Sequence, residues 1–142
     1  MDVLVVEDNK EVADSLAFLL DCYGHHATVA ENGDAALSLV ASHAFELVLL
    51  DEDLPGIKGS AVARAIITAP FAGRPFIVSM TGGSDVDGLP RFFDVCLRKP
   101  FASNALLQTI EDARIWGQAS AFLAAYALHC CERRSAARPI IR

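Results

Sequence analysis

The chain is 142 residues long and 53% hydrophobic, enough for one domain with a real core and too apolar for general disorder. A net charge of -6 offers no general cationic field to nucleic acid or an anionic membrane, whereas a concentrated acidic edge favours a divalent cation. The four cysteines, Cys22, Cys96, Cys130 and Cys131, form neither zinc-type pairs nor the dense framework of a secreted scaffold, and no signal-peptide pattern or membrane-length apolar run is present, so a cytoplasmic protein with reduced thiols and no membrane insertion is expected.

In chain order, Asp2 to Val6 is a β-branched run stopped by Glu7-Asp8-Asn9. From Glu11 the apolar residues Val12, Leu16, Leu19 and Leu20 recur at helical spacing. This reads as strand, acidic loop, helix, with Asp8 or Asn9 capping the helix through a side-chain oxygen. Gly24 closes the first helix, His26 to Ala30 forms a second strand, and Ala36, Leu37, Leu39 and Val40 mark a second helix after Asn32-Gly33-Asp34. His25 and His26 are adjacent, so in an extended chain they point to opposite faces; both are read as surface histidines rather than ligands. Leu47 to Leu50 is a strand buried on both faces that ends abruptly in Asp51, Glu52 and Asp53, and Pro55-Gly56 then turns the chain away. A third helix runs from Lys58 to Thr68.

Pro75 to Met80 forms the fourth strand and ends at Thr81-Gly82-Gly83, where small residues let the backbone come close to an anion. Phe93 to Arg98 is the fifth strand and ends at Lys99-Pro100-Phe101; the helix after it, through Leu106, Leu107 and Ile110, has Ser103 as its expected cap. Repeated β-α alternation implies an α/β fold, a doubly wound parallel sheet with helices on both faces and right-handed crossovers. Asp8, Asp51, Thr81 and Lys99 each follow a different strand, so all four are expected at the carboxyl edge of the sheet, where ligands bind in such folds.

Glu7-Asp8, Asp51, Pro55-Gly56, Thr81 and Lys99-Pro100-Phe101, taken together, resemble the CheY-like receiver domain of two-component response regulators, over about Asp2 to Trp116. The resemblance implies a flavodoxin-like (βα)5 fold with strand order 2-1-3-4-5. It also implies that Asp51 is the phosphoacceptor and that Mg²⁺ is held by Glu7, Asp8, Asp51 and the backbone carbonyl of Asp53. Thr81 would bind the phosphoryl oxygen, and Lys99 would pair with the phosphoryl group, across a cis Lys99-Pro100 bond. A carboxylate attacking a phosphoryl group needs such cations to neutralise the charge spreading over the equatorial oxygens. Self-catalysed phosphoryl transfer and autodephosphorylation are expected, rather than conventional enzyme turnover. Implied partners are a sensor histidine kinase or a histidine phosphotransfer protein.

Two departures bear on output. Family members usually carry Tyr or Phe three residues before the Lys, and here that position is Cys96. Between Thr81 and the fifth strand, Gly82, Gly83, Gly88 and Pro90 oppose the family's usual helix, so a loop is expected there. Asp53, beside the acceptor, reads equally as an acid that orients a hydrolytic water and as a solvated loop carboxylate. Past Trp116 the chain is read as a second segment, 118–142. It has an apolar helix from Ala119 to Cys131 that packs either on its own domain, 1–117, or on a second copy, and then a basic tail. The reading is a stand-alone receiver that relays its state by protein contact or phosphotransfer; the alternatives are an unphosphorylated interaction module and an aspartyl-phosphate phosphohydrolase.

Overall fold

Each apolar run that ends in a polar cluster becomes a strand, and the helical repeats between them become the crossovers. The computed structural model describes residues 1–69, 73–83 and 92–136, with side chains in the last helix described through residue 125. The order is β1 (Asp2–Val6), α1 (Lys10–Cys22), β2 (His26–Ala30), α2 (Gly33–Ser42), β3 (Leu47–Asp51), α3 (Gly59–Thr68), β4 (Phe76–Thr81), β5 (Val95–Arg98) and α4 (Ser103–Ala136). The five strands form one parallel sheet in the order β2-β1-β3-β4-β5, the flavodoxin-like doubly wound arrangement.

β3 is buried at all five positions, as expected of a central strand covered on both faces. Alternate side chains divide between two cores. Val3, Val5, Leu47, Leu49, Val78 and Met80 face α1 and α4, where Leu16, Leu20, Leu106 and Ile110 meet them. Leu4, Val6, Val48, Leu50 and Ile77 face α2 and α3, where Ala36, Val62, Ala63 and Ile66 meet them. Phe92 and Phe93 pack against this second core, so both serve as filling. Truncating one of the fully buried leucines to Ala costs about 2–5 kcal/mol by lost transfer energy and cavity formation.

The helix ends follow local chemistry. Asn9, not Asp8, caps α1: its side-chain oxygen accepts from the amides of Glu11 (3.0 Å) and Val12 (3.2 Å), which leaves Asp8 free for other work. Asn32 caps α2 by accepting from Ala35 N at 2.8 Å. Gly24 ends α1 with a left-handed φ of 78°.

One expectation is corrected in the last helix. Ser103 is its first residue rather than its cap; the carbonyl of Ala102 accepts from the amides of Ala105 and Leu106. The helix expected from Ala119 to Cys131 is present as part of α4, which runs unbroken through Gly117 for 34 residues. One interior glycine costs about 1 kcal/mol relative to alanine, which the strong helix formers on both sides of it offset. The stretch 84–91, read as a loop, lies outside the described residues.

Candidate functional site

The carboxyl ends of the strands are tied sideways, β1 to β2, β3 to β4 and β5 to β4, by backbone bonds that continue the sheet into its loops. Glu7 N donates to Ala30 O (3.1 Å), Glu52 N to Met80 O (3.0 Å) and Lys99 N to Thr81 O (2.7 Å). Side chains from residues 7 to 99 therefore meet on one braced edge, and the Lys99-Pro100 peptide bond is cis.

At that edge Glu7 and Asp51 are buried, 2% and 5% exposed, while Asp8 is exposed. Carboxylate oxygens of Glu7, Asp8 and Asp51 lie within 4.8 Å of one another. The Lys99 Nζ bridges two of them, donating to Glu7 Oε2 at 2.6 Å and to Asp51 Oδ2 at 3.1 Å. Burial alone lowers the affinity of this ammonium for its proton, but the hydrogen bonds and charges of Glu7 and Asp51 outweigh it and hold the Lys99 pKa above the ordinary lysine value. The second oxygen of each buried acid is also held. Asn9 N donates to Glu7 Oε1 at 3.1 Å, and Asp53 N donates to Asp51 Oδ1 at 3.0 Å.

The donor set tests well against a hard divalent cation. Three convergent carboxylates offer only oxygen, the ligand type that Mg²⁺ prefers over soft-metal donors, and Mg²⁺ needs only one or two of them beside water. No other His/Cys/Asp/Glu group capable of holding a metal is present among the described residues. His26 is exposed and His25 half-buried, its pKa lowered by burial, so the expectation of two surface histidines holds for the first and not for the second.

Thr81, 7% exposed, ends β4 beside this cluster, and its Oγ1 accepts from Gly83 N at 3.1 Å, which leaves the hydroxyl proton available to an incoming oxygen. Among the described residues, nothing lies within 4 Å of the position a Cβ on Gly82, next to Thr81, would take. The Asp53 side chain is exposed, while its amide braces Asp51. Cys96 stands level with Ser79 across the β4-β5 pairing, half-buried. Burial pushes its thiol pKa up against the opposing pull of Ser79 and Arg98, which describes an inert thiol.

One residue escaped the sequence reading. A Cβ on Gly59 would lie 2.3 Å from the carbonyl oxygen of Asp51 and 2.9 Å from Glu52 Cα. The start of α3 is thus pressed onto the backbone of the central acid, and Gly59 N closes the loop by donating to Glu52 O at 3.2 Å. The spacing Asp51…Pro55-Gly56…Gly59 carried that signal, since a glycine opening a helix has no propensity reason to be there.

Comparison with known proteins agrees with this geometry. The model of the response regulator receiver domain matches residues 3–111. The chain is 37% identical over 120 residues to the virulence sensor protein BvgS of Bordetella pertussis, covering 78% of this chain and 10% of that protein. It is 36% identical over 112 residues to the sensory transduction protein RegX3 of Mycobacterium tuberculosis, covering 77% of this chain and 48% of that one. The chain thus spans half or less of these relatives. Among solved structures, the response regulator protein TrrA from Thermotoga maritima, in complex with Mg²⁺-BeF, superposes with a TM-score of 0.72 at 29% identity, over 79% of this chain and 97% of that chain. With the strand order, the acidic edge and a family match over most of its length, this chain belongs to the response regulator receiver domain family.

Proposed function

We propose that the chain accepts a phosphoryl group on Asp51 from the phosphohistidine of a sensor histidine kinase or histidine phosphotransfer protein. The observation that carries the reading is the Lys99 ammonium bridging Glu7 and Asp51 inside a three-carboxylate cluster at the strand ends. In the transfer an Asp51 carboxylate oxygen bonds to phosphorus as the phosphorus–nitrogen bond breaks, and the imidazole leaves. Asp53 N holds one Asp51 oxygen in place, Lys99 offsets charge on the equatorial phosphoryl oxygens, and the Thr81 hydroxyl donates to one of them. Glu7, Asp8, Asp51 and the Asp53 carbonyl would hold Mg²⁺, which supplies further neutralisation of the phosphoryl charge when bound.

An apolar groove lined by Val12, Leu16, Leu19, Pro100, Phe101 and Leu106 opens beside Lys99 and suits a helix of the phosphodonor. No described helix is long and apolar enough to cross a membrane, in keeping with a cytoplasmic role. Output is assigned to contacts with other proteins, and one such partner is a second copy bound through residues 118–131. A second reading, an interaction module that is never phosphorylated, is favoured by Cys96 standing where the family's aromatic switch residue is found.

Mass spectrometry after incubation with Mg²⁺ and acetyl phosphate decides between them. Gain of one phosphoryl group by the parent and none by Asp51→Asn is expected. No gain, together with no binding of beryllofluoride, would overturn phosphoryl acceptance and leave the interaction module.

A further inference from the structure

The stretch of α4 past Arg114 differs in composition from the rest of the chain. No Asp, Glu, Lys or Arg occurs from Ile115 to Cys131. Ile115, Phe122 and Leu123 are 53%, 71% and 65% exposed, and Ala119 is exposed with them. Ile115, Ala119 and Phe122 follow one another at intervals of four and three, and Tyr126 continues the spacing in the sequence, the repeat that keeps one seam of a helix facing a partner helix. Ala113 and Trp116 are the last residues of α4 packed on the sheet core, so the seam starts where the domain ends.

Charge selects the occupant. Residues 1–116 carry 17 Asp and Glu against eight Lys and Arg, whereas residues 117–142 carry four Arg and one Glu. The acidic part disfavours an anionic lipid surface and attracts a cationic segment, and the chain itself provides one.

We propose that two copies associate through α4 in antiparallel orientation, with Ala119 of one copy opposite Phe122 of the other. The inference rests on the reading of residues 118–131 as a contact between copies and fixes its geometry. In this register the large Phe122 fills the space left by Ala119 twice, by symmetry, and Ile115 closes the seam at each end. Arg133 and Arg134 fall level with Gln108 and Leu107 of the partner copy, about one turn, or about 5 Å, from its Glu111 and Asp112. A parallel pair would set the same arginines against each other.

Sedimentation of the full chain across a concentration series tests this. The parent is expected to dimerise, and Phe122→Glu to remain monomeric with unchanged far-UV circular dichroism. Arg133→Glu with Arg134→Glu weakens the dimer by about tenfold, on the scale of several exposed ion pairs turned repulsive. Adding Glu111→Arg and Asp112→Arg to that chain restores it. A parent that stays monomeric at every concentration overturns both the contact and its geometry. A dimer that Phe122→Glu abolishes but charge reversal leaves untouched overturns the antiparallel register alone.

Discussion

Replacing Asp8 by Asn should stabilise the protein when divalent cations are removed. Asp8 is exposed, caps nothing, and has carboxylates of Glu7 and Asp51 within 4.8 Å. At that separation each like-charge pair costs about 0.9 kcal/mol in a water-like dielectric, and the nearby Lys99 ammonium offsets about one of the two, leaving about 1 kcal/mol net. For a chain of this size that corresponds to a rise in Tm of about 4 °C. Thermal unfolding followed by circular dichroism in EDTA, parent against Asp8→Asn, reads it directly. In saturating Mg²⁺ the order should reverse, because ion held at a hundredfold its dissociation constant adds about 2.7 kcal/mol to a fold that binds it and less to one missing a ligand. A variant that melts below the parent in EDTA, or that gains as much from Mg²⁺ as the parent does, would refute the account of these acids as a strained cation site.

Asp53→Ala should change the lifetime of the phosphorylated form, read as the decay of phosphoprotein after removal of acetyl phosphate; an unchanged rate would make Asp53 a solvated loop acid. Gly59→Ala, whose methyl would meet the Asp51 carbonyl, should destabilise by about 1–3 kcal/mol and lower the urea midpoint, with phosphorylation slowed as Asp51 is displaced. The raised Lys99 pKa has a definite sign in stability. The contribution is fully present below the unfolded lysine value of about 10.4 and is lost as pH climbs through the higher folded value. Urea unfolding between neutral pH and strong alkali should therefore show a steeper loss for the parent than for Lys99→Met, which starts less stable because Glu7 and Asp51 lose their cation. Parallel pH profiles for the two chains would contradict the bridging role.

The sheet and most of the site could be read in the sequence because both come from local patterns. Strands buried on both faces are short apolar runs, and their carboxyl ends are marked by the first polar residues after them, so Asp8, Asp51, Thr81 and Lys99 announced themselves. Asp51 and Thr81 proved to be the last residues of their strands rather than the first of their loops, a shift of one position that buries both. Gly59 was legible only as an out-of-place glycine at a helix start; the contact with the Asp51 backbone that requires it is seen only once the chain is folded. The continuity of α4 was hidden for the opposite reason. Gly117 is a strong local signal for a break, and the hydrogen-bond ladder of a long helix overrode it. Asp8 and Asn9 were equivalent as caps in sequence and became distinct only through the direction each side chain takes.

The unbroken α4 also has a mechanical consequence. It starts four residues after Lys99, so its root shares the loop that carries the site's ammonium, and it is packed on the sheet core through Trp116. The 20 residues that follow, 117–136, extend about 30 Å along the axis. An arm of that length magnifies angle into travel: a tilt of about 5° of the packed part carries the tip through about 2.6 Å. Gly117 sits at the start of the arm as its softest joint, and Gly117→Ala would stiffen it without touching either end of α4.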